Sequence, residues 1–472
     1  MNFKKTTIPR NPLCLILSCW PPARLLLAWA VLILPYVALP QADKPAATAP
    51  QLVRTAAKEG AIVARLTTPD ELERLLGKPQ NEDRGRDGDW VTLTQDYGEV
   101  NALFARLGEF TNPFTLFKLR AAGEELDIGQ GKQLNLRTVG DLRKLDSFWG
   151  LAGVSVAKLD LRDQASKLSA LTFDSLTVWP PGDQLPAGFN PRTLLEQGKN
   201  PGLGVRKLHE KGIDGRGVGI AILDQPLLKD HEEFRDKITR YEAVEVDGVE
   251  PQMHGAAVVS IAVGKSCGVA PGASVYYFAA PSWKWLRNEP WAEQLERIVD
   301  LNSQIHDTPK IRVVSISLGA FSERPNYARW RQALQKAEQA NILVVTCDPD
   351  FLHIGTLRRI ENHDEPQPGD YQRGLYGRPD AVLLVPAANR TLASFRGCQV
   401  YTYDRTGGMS WTVPYLAGVA ALAWQVDPNL TPHQIVELWS RTAAKTAVGP
   451  VLDPIAVITA IEHDSKVSLS TR

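Results

Sequence analysis

Gly408-Met409-Ser410-Trp411-Thr412-Val413-Pro414-Tyr415-Leu416-Ala417-Gly418-Val419-Ala420-Ala421-Leu422 decides the fold. Its small and apolar residues leave no polar face, so it reads as a core helix with Ser410 at the N-terminus. That end carries unpaired N–H groups and the positive end of the helix dipole, so a serine oxygen there can attack a carbonyl while amides stabilise the oxyanion. Pro414 is placed in the first turn, where a missing N–H costs little. Ala417, Gly418, Ala420 and Ala421 predict a close backbone neighbour. Alone, Ser410 would be an ordinary N-cap. The residues upstream decide otherwise.

Strands and helices alternate from residue 196 onward, which predicts an α/β fold: a parallel sheet with helices on both faces. Val218–Leu223 is a buried strand with Asp224 at its carboxyl end, where functional residues of open α/β sheets gather. His254-Gly255 opens a small-residue helix through Ala262, which turns the imidazole toward the strand ends. Gly268-Val269-Ala270-Pro271-Gly272-Ala273 leads into the strand Ser274–Phe278.

The blocks around Asp224, His254 and Ser410 resemble the three signature blocks of the subtilisin-like serine proteases, in the order aspartate, histidine, serine that marks the subtilisin triad. Gly268–Ala273 is similar to the family's glycine-valine-alanine-proline block, Val313–Gly319 to its substrate-lining strand, and Asn341–Val345, Ala393-Ser394-Phe395 and Asn429–Pro432 to further landmarks. The resemblance covers roughly residues 200–460. It implies a subtilisin-like fold and peptide-bond hydrolysis through an acyl-enzyme, without a cofactor. In these roles Ser410 is the nucleophile, His254 the general base and then acid, and Asp224 the group that orients the imidazole. Ser317, Leu318 and Gly319 would bind an extended peptide as an added strand. A peptide or protein is the implied partner; an esterase or amidase would use the same three residues.

The departures from the family surround the oxyanion. Counting from Ile342–Val345 puts Asp350 where the family usually has an oxyanion-stabilising asparagine, and Met409 stands where threonine is usual. Loss of one such donor costs about 3 kcal/mol in subtilisin itself. If burial keeps Asp350 protonated, it donates as asparagine would and activity favours mildly acidic pH. The alternative is a weakened pseudoprotease that binds peptides or partners.

Length and composition frame the rest. With 472 residues, two folded parts are expected. Lys plus Arg and Asp plus Glu both number 53, which gives no support to nucleic-acid binding. Residues 1–42, with Lys4, Lys5, Arg10 and the apolar run Leu25–Leu39, predict an export signal, with an uncleaved membrane anchor as second choice. The protein is thus expected to be secreted, periplasmic or anchored. Residues 43–195 predict a smaller mixed α/β or β-rich accessory domain, either a removable pro-region or a permanent recognition domain. Residues 196–463 form the catalytic domain and 464–472 a tail.

Within 43–195, Ala46–Gln51 reads as a linker, Thr68-Pro69-Asp70-Glu71 as a helix start, and Asn81–Asp89 as a charged loop. Brief strands are expected at Glu125–Ile128, Gln133–Leu136, Lys158–Leu161 and Ala170–Phe173. His353–Gly377 reads as an insertion over the surface. Cys267, Cys347 and Cys398 read as core residues with at most one bridge and no metal-ligand spacing. No acidic cluster has calcium-ligand spacing, although the sequence leaves structural calcium open.

Overall fold

In the computed structural model, the strand Gly219–Asp224 is buried at every residue, and its side chains alternate between two cores. Ile220 and Ile222 enter one, Ala221 and Leu223 the other, as a strand covered on both faces requires. It is the middle of a five-stranded sheet in the order Ile238–Ala243, Ser274–Ala279, Gly219–Asp224, Ile311–Ile316, Leu343–Thr346. All neighbouring pairs are parallel. The helices Met253–Val263 and Met409–Val426 pack on one face, and Glu289–Gln304 and Tyr327–Gln339 on the other. From the middle strand the chain runs first to one side of the sheet and then to the other. The carboxyl end of that strand, at Asp224, is therefore the switch point where α/β sheets open a crevice.

The structure describes residues 47–472 apart from 88–89, 108–112, 130–132, 362–364, 378–379 and 471–472. The chain divides into Met1–Ala47 and the compact unit Thr48–Arg472. The expected export signal lies outside the described residues, among which no helix is long and apolar enough to cross a membrane.

Residues 49–128 are β-rich with two helices. Ala49–Lys58 is helical where a linker was expected, capped by Thr48 in a capping box. Pro69–Leu76 starts as the sequence predicts, with the Thr68 side chain accepting from the Glu71 amide. An antiparallel meander of five strands follows. Its first strand, Asn81–Asp87, is the stretch read as a charged loop. It pairs with Trp90–Asp96 as the edge of the sheet, and an edge strand exposed to water carries charge for that reason. This part has its own apolar core, including Val53, Leu72, Phe104 and Leu119.

Of the four brief strands expected, Leu134–Asn135 falls within its predicted stretch, while Glu124–Glu125, the last strand of the meander, and Phe173–Asp174 each overlap theirs by one residue. Lys158–Leu161 is irregular. A separate core joins Leu134, Leu151, Leu171 and Phe173 to Tyr403. His353–Gly377 is not a loop over the surface. It contains the strands Ile354–Arg359 and Tyr371–Gly377 of a second five-stranded sheet, because Ile354 and Leu357 carry apolar side chains into the main core.

The helix Met409–Val426 is buried from Trp411 to Trp424. A Cβ on Gly418 would lie 2.6 Å from Val269 Cβ and 3.3 Å from the Ala262 carbonyl. Two buried helices therefore meet through a residue with no side chain, as the run of small residues implied. Gly418→Val is expected to destabilise the fold by about 2 kcal/mol or more through overpacking, read as a lower denaturant midpoint. Gly369→Ala, whose Cβ meets nothing within 4 Å, should change stability by less than about 0.5 kcal/mol.

Candidate active site

Asp224 ends its strand and His254 is the second residue of the helix Met253–Val263. The helix start can come this close to the strand end because Gly255 has no side chain: a Cβ there would stand 2.6 Å from the Gln225 carbonyl and 2.6 Å from the Tyr277 hydroxyl. The Tyr277 hydroxyl itself donates to the Gln225 carbonyl. Asp224 Oδ1 and His254 Nδ1 are 2.7 Å apart, and Oδ1 also accepts from the Gln225 amide at 2.7 Å. The carboxylate is 6% exposed and the imidazole 21%. Burial by itself would lower the imidazole pKa, but the charge of Asp224 and its hydrogen bond outweigh burial, and His254 lies above its ordinary value.

Ser410 is the second residue of its helix, behind the extended N-cap Gly408. Gly407 makes the turn before it, with φ of 68° and the Ala388 amide nitrogen 2.9 Å from where a Cβ would sit, so only glycine fits. Pro414 is not in the first turn but is the sixth residue of the helix, where its missing N–H deprives the Ser410 carbonyl of an intrahelical donor. The Ser317 hydroxyl supplies one at 2.8 Å. In return the Ser410 hydroxyl donates to the Ser317 carbonyl at 3.3 Å. The structure thus joins Asp224 to His254 and Ser410 to Ser317. Among the described hydrogen bonds, the Ser410 hydroxyl does not reach His254.

Two residues link the pairs. The Trp411 ring lies 5.1 Å from the His254 ring, tilted by 36°. The Cys347 thiol is half-buried near Ser410; burial first, and then the nearby charges of Asp224 and Asp348, push it up to about 12. It is a neutral thiol at physiological pH. Trp411 was visible beside Ser410, but nothing in the sequence says that its ring covers an imidazole. Cys347 was legible only as a core residue. Cys267, Cys347 and Cys398 form no disulfide, so the one bridge that the sequence leaves open is not made. Among the described residues no group of three or more His, Cys, Asp or Glu side chains is arranged to hold a metal ion.

Asp350 corrects the expectation of a buried, protonated acid. It is exposed and accepts a hydrogen bond from the Tyr327 hydroxyl at 2.5 Å, so it is not the buried group that the expectation required. The buried carboxylate here is Asp348, which accepts from the amides of Phe321 at 2.7 Å and Asp350 at 3.0 Å. Ser317, Leu318 and Gly319 follow the strand Ile311–Ile316. Both backbone groups of Leu318 are used internally: its amide donates to Ile316 and its carbonyl accepts from the Cys347 amide.

Comparison with known proteins bears on the segment that holds Asp224 and His254. Residues 215–349 match the model of the Peptidase_S8 subtilase family, a match that stops short of Ser410. The chain is 25% identical over 292 residues to the subtilisin-like protease PopC of Myxococcus xanthus (strain DK1622), covering 51% of this chain and 58% of PopC. It therefore spans little more than half the length of that relative. Among solved structures it is similar to a chain of the subtilase cytotoxin SubAB assembly (15% identity, 57% of this chain, 98% of that chain, TM-score 0.46). It is also similar to a cold adapted subtilisin-like serine proteinase (20% identity, 51% and 89%, TM-score 0.40). The segment that carries Asp224 and His254 is thus the part of the chain that matches the subtilase family.

Proposed function

We propose that the chain is a serine endopeptidase that cleaves peptide or protein substrates through an acyl-enzyme at Ser410. The observation that carries this reading is the 2.7 Å contact between Asp224 and His254 at the switch point of a parallel sheet, beside a buried helix with Ser410 in its first turn. Asp224 fixes the Nδ1–H tautomer and leaves Nε2 to take the serine proton. Rotation about the Cα–Cβ bond of Ser410 releases its hydroxyl from the Ser317 carbonyl and turns it toward that nitrogen. The first-turn amides, including that of Ser410, and the helix dipole then face the oxyanion. Ser317 and Gly319, alternate residues of one segment, offer the backbone for an extended substrate, with Leu318 held inward. Residues 1–42 support export of the protein.

A second reading, a peptide-binding protein of weak or no activity, is favoured by one observation: the exposed Asp350 supplies no donor to the oxyanion. A fluorophosphonate serine probe separates the two. Wild type is expected to gain the mass of one label, and Ser410→Ala none. A folded wild type that stays unlabelled from pH 5 to 9 would establish the second reading.

The raised His254 pKa sets the pH profile. Only the neutral imidazole accepts the serine proton, so kcat/KM should rise through a limb centred above about 6.5, the ordinary histidine value. The same shift stabilises the fold fully below about 6.5, and that contribution fades as pH rises through the higher folded value. In Asp224→Asn the limb of any residual activity should move down and kcat should fall by about 10⁴. A wild-type limb centred below 6 would refute the assignment of His254.

A further inference from the structure

Residues up to 195 read from sequence as an accessory part, removable or permanent. The structure ties their second half to the turn that presents Ser410. Phe173–Asp174 pairs antiparallel with Thr402–Tyr403, in the strand Tyr401–Asp404 that runs directly into that turn. Arg405, the first residue of the turn, donates its amide to Thr172 Oγ1 at 3.1 Å, and both residues are buried. The Phe173 ring stacks on Tyr403 at 5.2 Å, and the Arg405 guanidinium lies over both rings.

Asp404 carries the restraint onward. One carboxylate oxygen accepts from the amides of Thr406 and Gly407 at 2.9 and 3.1 Å. The other accepts the Trp411 indole N–H at 2.5 Å, and that indole covers His254. A cavity beside these groups is lined by Met253, Phe395 and Trp411 together with Phe148, Trp149 and Thr172.

We infer that residues 134–195 are a fixed part of the active site, with Thr172 and Phe173 as positioning residues that hold the turn from which Ser410 and Trp411 project. The inference rests on the protease reading only for its consequence in rate; the restraint itself is measurable without activity. The core that joins Leu134–Leu195 to Tyr403 takes in Leu66 as well, while Val53, Leu72, Phe104 and Leu119 pack in a different one.

The test compares Thr172→Val, which keeps the shape and removes the acceptor, with Thr172→Ser, which keeps the acceptor. Amide hydrogen exchange over residues 405–411 is expected to quicken in Thr172→Val and to stay as wild type in Thr172→Ser. With a small chromogenic substrate, kcat should fall by about tenfold or more in Thr172→Val, KM should stay within about twofold, and Thr172→Ser should restore the rate. A role in stability alone would leave kcat of the folded variant unchanged. Faster exchange in Thr172→Val, in a protein whose wild type never labels with the serine probe, would support the restraint while removing the protease reading. Unchanged exchange in Thr172→Val, or an active folded enzyme isolated without residues 134–195, would overturn the inference.

Discussion

The helix Met409–Val426 is buried on every side over fourteen consecutive residues, Trp411 to Trp424, and the molecule is arranged to make that affordable. A helix with no polar face needs apolar neighbours all round. It finds them in the parallel sheet, in the helix Met253–Val263 and in the strands of the second sheet. The approach to Met253–Val263 is close enough that Gly418 cannot bear a side chain. Because the two helices are locked together there, their N-terminal ends, with His254 on one and Ser410 on the other, are held at fixed places relative to Asp224.

Within that frame two hydrogen-bonded pairs divide the polar work. Asp224 and His254 form a buried, charge-assisted contact that keeps the imidazole oriented and more basic than usual. Ser317 and Ser410 exchange hydroxyl-to-carbonyl bonds, one of them made necessary by Pro414. The second pair anchors the start of the helix to the end of a sheet strand while leaving the serine hydroxyl in a weak, long bond that is easily given up. The Trp411 ring lies against the imidazole and shields part of the Asp224–His254 contact, and partial burial strengthens such a contact.

The aspartates around the site are placed according to what they touch. Asp348 is buried and satisfied by backbone amides, so it organises the chain after the strand Leu343–Thr346. Asp350, two residues on, faces solvent and Tyr327. Asp404 is buried and satisfied by a turn and an indole, and it transmits the position of the N-terminal segment to the site.

The sequence by itself determined the parallel α/β core, because strand and helix periodicities are local and Val218–Leu223 or Met409–Leu422 can only be buried. It also determined the ends at which Asp224, His254 and Ser410 stand, since a residue that follows a strand or opens a helix is legible from the pattern around it. What it did not contain was distance. Whether the Ser410 hydroxyl faces His254 or Ser317, whether Asp350 is buried, and which side chains cover the imidazole depend on packing between segments far apart in the chain. The charge of Asn81–Asp87 suggested a loop, because the exposed edge of a sheet and a loop present the same polar residues to water. Residues 134–195 carried no sign of their attachment to the serine turn, since two-residue strands such as Phe173–Asp174 are specified by the partner they pair with and not by their own composition.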